Sequence, residues 1–200
     1  MKKLMDFAEL RQISNYDCGA CALQAVLAYY GFDTNEQEIM RLTKTRKIGT
    51  SIKHIEMVLK KFGLKYKAKK MDIKQIKHNI NKKIPTIIPL QAWKHNVKNW
   101  KREWYSGHYV IAIGYDKNNI FYEDPGCVAR TYLTYKELLE RWHDLDISKK
   151  QKNKLINYGI SVYGKKPVFS SKKAVHLDFD AYKIKGKKLK IVPKKYKRII

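Results

Sequence analysis

The chain has 200 residues, 44% of them apolar and 12% aromatic, which suits one domain with a real core and argues against wholesale disorder. Lys and Arg number 43 against 18 Asp and Glu, a net charge of +25 that favours acidic partners such as nucleic acid, anionic membrane or acidic peptides without choosing among them. Much of the excess is Lys, for which a solvated surface is the plainer reading. No apolar run approaches the roughly 18 residues that cross a bilayer. Met1 to Ala8 has no apolar signal core, and three cysteines make no disulfide framework. A soluble, cytoplasmic protein with reduced thiols is expected.

In chain order, Cys18 to Tyr30 is Ala- and Leu-rich at helical spacing, with Asp17 as N-cap and Gly31 as C′ residue. A second helix is predicted from Asn35 to Leu42, with Asn35 capping and Glu36 and Glu38 in its first turn. A third follows Thr50 or Ser51, with Ile52, Ile55, Val58, Leu59 and Phe62 on one face, and a fourth starts at Asp72 with Ile73, Ile76 and Ile80. Residues 84–90 are β-rich, and their two prolines suggest an edge strand or strand ends. Residues 92–107 read as a long loop. His108 to Tyr115 is a strong strand, 116–119 a turn and Ile120 to Asp124 the return strand, hence a hairpin. A helix capped by Thr134 is predicted to Asp144, and a last strand from Leu155 to Tyr163. Helices first and antiparallel strands afterwards argue for an α+β fold. From residue 165 the pattern decays: 13 Lys and Arg stand against 2 Asp and Glu in 165–200. A domain over 1–164 with a basic extension over 165–200 is expected.

Four residues carry candidate chemistry. Cys18 falls in the first turn of a helix, where free backbone N–H groups and the helix dipole favour a thiolate. Its own N–H is available to an oxyanion, and the Gln12 carboxamide six residues upstream is a candidate second donor. His108 follows Gly107 at the start of the best strand, a suitable general base, and Asp124 ends the return strand, where it could hold the other imidazole nitrogen. Register decides that pairing. A plain four-residue loop puts Asp124 opposite Ile111, on the wrong face. A bulge, or a connection of three or five residues, puts it opposite Val110, diagonal to His108 and roughly 7–8 Å away.

The segments Gln12-Ile-Ser-Asn-Tyr-Asp-Cys-Gly-Ala-Cys-Ala-Leu23, Gly107-His-Tyr-Val-Ile-Ala-Ile-Gly114 and Glu123-Asp-Pro-Gly126 resemble, in order and spacing, the active-site motifs of the peptidase C39 family. Its members are papain-like proteases, best known as leader-cleaving domains of bacteriocin exporters. The resemblance covers about residues 9–145 and implies a papain-like fold, in which an N-terminal helical subdomain packs against an antiparallel β-sheet. It further implies a triad of Cys18, His108 and Asp124, Gln12 as oxyanion residue, a peptide or protein substrate, and no cofactor. Ala20 stands where the family usually has Pro, and the segment 91–107 is longer than in exporter domains. With no membrane span and no G-x-x-x-x-G-K-[ST] loop in these residues, a stand-alone relative is expected.

Other readings stay beside this one. Cys21 is expected to be core, Cys127 incidental, and Cys18-Gly-Ala-Cys21 mimics a redox dithiol although no buried strand precedes it. His54 and His78 read as surface residues, His95, His143 and His176 show no partners, and Asp116 is a turn residue. The tryptophans at 93, 100 and 104 suit a lid or substrate wall, and less well a platform for single-stranded nucleic acid. The basic tail could hold a weak, non-specific anionic partner. Peptidase, amidase, deamidase and acyl transferase share the machinery, and a catalytically idle C39-like binding module is the alternative from another class.

Overall fold

A computed structural model of the chain describes residues 2–147 and 152–172, together with two short strands, β10 (Lys183–Ile184) and β11 (Lys187–Lys188). The first strand, β1 (Lys3–Leu4), leads into an irregular segment and then α1 (Cys18–Tyr29), α2 (Glu36–Thr43) and α3 (Ile52–Lys61). Ten of the twelve residues of α1 are buried, so this helix is a core element rather than an amphipathic surface one. It ends as its sequence predicts: Gly31 takes φ 83°, and its N–H and that of Phe32 reach back to Ala28 and Leu27. Asn35 caps α2 through Glu38 N at 2.8 Å. Ser51 occupies the N-cap of α3, but its hydroxyl bonds His54; the Ile52 N–H goes to Asp146, far along the chain. Asp72 caps α4 (Ile73–Asn81), which packs on the sheet.

The main sheet runs β2 (Lys65–Lys70), β9 (Tyr158–Tyr163), β3 (Thr86–Gln91), β4 (Gly107–Tyr115), β5 (Asn119–Glu123), β6 (Thr131–Thr134), with β1 pairing β4 beyond the end of β3. Every pairing is antiparallel. Four of the five described helices precede β3, and the antiparallel sheet packs against them, so the α+β, papain-like architecture holds.

Three expectations need correction. β3 is central and wholly buried, not an edge. Its neighbour β9 pairs only with Thr86 and Ile87, so Pro89 lies where that side of the strand is already open and its missing N–H breaks no ladder. α5 (Tyr135–Arg141), closed at its start by a Thr134–Glu137 capping box, stops three residues early; Trp142 turns the chain into β7 (His143–Ile147). Trp142 is 1% exposed and donates Nε1–H to Tyr158 O, an anchor that helix periodicity does not reveal. The last strand is two, β8 (Lys152–Ile156) and β9, split at Asn157 with φ 51°. β2 escapes sequence reading because lysines fill it; only Tyr66 and Ala68 alternate towards cover.

Past Gly164 the chain returns to the body: Val168 and Phe169 donate N–H groups to Tyr29 O, and Ser171 N donates to Asp6. The rest of the expected basic extension, apart from the β10–β11 backbone, lies outside the described residues.

Candidate active site

β4 and β5 pair Tyr115 with Ile120, leaving the four-residue connection 116–119, whose Asp116 accepts from Asn118 and Asn119 as a turn residue should. The register then shifts between Ala112 and Gly114, so that Ile111 faces Glu123. This bulge, and not an odd-length loop, brings Asp124 opposite Val110 on the face of His108. The extra residue is Ile113, whose carbonyl accepts from Met5 N and so continues the β1–β4 pairing past Leu4 and Gly114.

His108 and Asp124 meet as the register requires. His108 Nε2 donates to Asp124 Oδ1 at 2.7 Å, with both residues over nine-tenths buried. The carboxylate also accepts from Gly126 N at 2.9 Å and Thr131 Oγ1 at 3.0 Å, so three donors fix it. Burial raises its pKa, but His108 and these donors outweigh that and hold it below the usual carboxylate range. With Nε2 engaged, Nδ1 is the ring nitrogen left free, and Cys18 is near enough to bear on the imidazole's pKa. Burial alone would lower the His108 pKa; Asp124 and the Cys18 sulfur reverse this and raise it to about 9. Trp93 stands edge-on to the imidazole at 6.4 Å between ring centroids, and a Cβ on Gly126 would come within 2.9 Å of its indole nitrogen. The pair is thus roofed on the side of the 92–107 loop.

Cys18 opens α1, as expected. Asp17 holds the N-cap position but makes no cap; its carboxylate instead takes Ser14 N at 2.9 Å. The first-turn N–H groups of α1 therefore remain uncapped beside the thiol. The segment before Cys18 is stapled to the end of β5. Leu10 N and Arg11 Nη1 donate to Glu123 Oε1, Arg11 also reaches Asp124 O, and Gln12 N donates to Pro125 O. Gln12 thus lies on the strap that joins the thiol's helix to the Asp124 turn. Its Nε2 donates one proton to Ser14 O, the other is uncommitted, and Oε1 is buried without a partner.

Two cavities flank this cluster. One, of about 310 Å³, runs from Cys18 past Thr50, Gly107 and Tyr109 to Asp144. The other, of about 470 Å³, lies beyond Asp124 under Trp93, Arg130 and Tyr132.

A model of the Peptidase C39 family matches residues 7–154, nearly three-quarters of the chain. The chain belongs to the peptidase C39 family. It is 28% identical over 137 residues to a Lactococcus lactis lactococcin transport/processing ATP-binding protein (LcnC-like), and 25% identical to the pediocin PA-1 transport/processing protein PedD of Pediococcus acidilactici. Each match covers 68% of this chain but only 18% and 17% of those proteins, so the chain spans about a fifth of their length or less. Among solved structures, the fold matches the peptidase domain of Streptococcus ComA at TM-score 0.58 and 22% identity, over 80% of this chain and 98% of that one. It also matches a C39-like peptidase of Bacillus anthracis at 0.61 and 13%, over 84% and all of that chain, and a double-glycine-motif protease solved with its leader peptide at 0.58 and 16%, over 83% and 95%.

In this C39 chain the remaining cysteines separate cleanly. Cys21 is fully buried, and burial pushes its thiol pKa far up, which disfavours a redox dithiol with Cys18; all three thiols are free. Sequence reasoning missed Glu123 and the β7 residues His143 and Asp144. His143, expected to lack partners, is bonded to Glu103 O at 2.6 Å and packs on Trp104 at 4.4 Å, closing the long loop onto β7. Glu123 had a signal, since its neighbour Asp124 was already singled out. Asp144 had none while it was placed at a helix end.

Proposed function

We propose that this chain is a cysteine peptidase that cleaves a peptide bond through Cys18, His108 and Asp124, with Gln12 as an oxyanion donor. The observation carrying the reading is the buried His108–Asp124 hydrogen bond, with Cys18 near enough to raise the His108 pKa and itself lining an open cleft. His108 takes the Cys18 proton, and Asp124 stabilises the imidazolium that results. The thiolate attacks the scissile carbonyl; a C–S bond forms and the carbonyl π pair moves onto oxygen. The Cys18 N–H and the uncommitted Gln12 Nε2–H donate to that oxyanion. When the C–N bond breaks, His108 gives its proton to the leaving amine. Water, deprotonated by His108, then attacks the thioester and releases the acid and the thiol. None of these steps calls for a cofactor.

Incubating the chain with a peptide library and mapping new termini by mass spectrometry tests the proposal. Parent-dependent cleavage that disappears in Cys18→Ala supports it. Peptide binding without cleavage would favour the catalytically idle binding module instead.

A further inference from the structure

The cavity beside Cys18 has in its wall a carboxylate that the proposed reaction does not use. Asp144, on β7, is 8% exposed. Its Oδ1 accepts from Gln91 Nε2 at 3.0 Å and Leu145 N at 2.8 Å, while Oδ2 accepts no hydrogen bond from any described residue. The side chain cannot swing away. Gln91 is itself fully buried and held by Ser106 N and His143 O. On the other side, Asp144 lies against the backbone that precedes His108: a Cβ on Gly107 would meet Oδ1 at 2.5 Å and Oδ2 at 2.7 Å. A desolvated carboxylate with open lone pairs is costly, and chains normally pair it. Among the described residues none makes an ion pair with it: the His108 charge bears on it but is already hydrogen-bonded to Asp124, and Lys47, in the same cavity wall, is exposed. Burial pushes the Asp144 pKa up to about 7, against the pull of Leu145 N, Gln91 and the His108 charge. The rest of the wall, with Ile48, Trp104, Tyr105 and Tyr109, offers apolar and aromatic surface for an aliphatic stem that ends in a charge.

We propose that Asp144 sets specificity: the cavity beside Cys18 receives a protonated nitrogen, from a Lys or Arg side chain next to the scissile bond, and Asp144 Oδ2 accepts from it. The inference rests on Cys18 as the reactive thiol; its substrate is a basic peptide, drawn by this one buried carboxylate against the repulsion of a chain of net charge +25. Two measurements test it. In the first, acetylated and free peptides carrying Lys, Arg, Leu or Glu beside the cut are compared by kcat/KM. Lys and Arg should exceed Leu by roughly tenfold or more in both sets, the scale of a hydrogen bond between charged groups, with the gain mainly in KM. In Asp144→Asn the ratio should fall to near unity. A preference confined to free peptides would overturn the side-chain assignment and give the pocket to an amino terminus. The second measurement needs no turnover: Cys18 alkylation by an Arg chloromethyl ketone against its Leu counterpart. Faster reaction with the Arg reagent in the parent, and no difference in Asp144→Asn, supports the pocket even if no peptide is cut, in which case only the peptidase reading fails. Equal rates in the parent would overturn the inference whether or not the variant folds.

Discussion

Ile111 on β4 stands opposite Glu123 on β5, one step out of the register that a plain four-residue hairpin would impose. That single shift puts Asp124 on the face of His108, and leaves Glu123, on the opposite face, to hold the segment that carries Gln12 and Cys18. One bulge therefore serves both halves of the candidate site.

The first prediction concerns Asp124. Its hydrogen bond and charge help raise His108 to about 9, and the proposed reaction needs the imidazolium to protonate the leaving amine. The basic limb of the kcat/KM profile should then fall near pH 9, as a property of the coupled Cys18–His108 pair. Asp124→Asn removes the charge that favours the imidazolium, so the limb should move to lower pH and turnover should drop roughly 10–100-fold, less than for a hydroxyl nucleophile because a thiolate depends less on its base. An unmoved limb would contradict the orienting role of Asp124.

Thiol reactivity gives a second prediction. Cys18 opens onto the cleft, Cys21 is sealed one turn further in, and Cys127 is half-exposed, outside any helix first turn. Iodoacetamide near neutral pH should modify Cys18 first, as read by peptide mapping over a time course. Faster labelling at Cys127 would count against Cys18 as the nucleophile.

The elements that frame this site were legible where local chemistry decides them. Asn35 and Thr134 cap the helices they were expected to cap, Asp72 stands at the start of the fourth as its N-cap, and the His108 strand is unmistakable in its run of buried residues. The His108–Asp124 contact could be reduced to a choice between registers but no further, because no local pattern in the hairpin marks a bulge at Ile113. The same holds for β7. Its strand character comes from pairing with β8 and from Gln91, His143 and Trp104 packing together, none of which leaves a local pattern. Asp17 looks like a cap in sequence and fails as one only because Ser14 claims its carboxylate.

A third prediction follows from the carboxyls behind Cys18. Burial, followed by the neighbouring Asp17 charge, raises Glu36 to about 7, and burial does the same for Glu123 against the pull of Leu10 N and Arg11. A carboxyl held above its unfolded value binds its proton more tightly in the folded chain. Folding stability is therefore full below about pH 4.5 for these groups and is lost as pH rises through about 7. The parent should melt at a lower temperature near pH 8 than near pH 6. Glu36→Gln, which stays neutral beside Asp17, should lose less over the same interval, a comparison that thermal denaturation at the two pH values decides.

The sharpest prediction is the one for Gln12, because an inert fold or a redox dithiol would not need it. Its backbone N–H is tied to Pro125, and one Nε2 proton is committed to Ser14 O, so the carboxamide is held in place before substrate arrives. A donor fixed in advance pays little reorganisation when charge develops, and the proposed oxyanion exists only in the transition state. Gln12→Ala should accordingly lower kcat by something like 10²–10³-fold, about 3–4 kcal/mol, while KM changes little. Because Ser14 N remains on Asp17, the strap should stay folded, and Cys18 alkylation in the absence of substrate should keep its parental rate. A loss shared equally between alkylation and turnover would mean that Gln12 only shapes the strap. Unchanged turnover would remove the oxyanion role altogether.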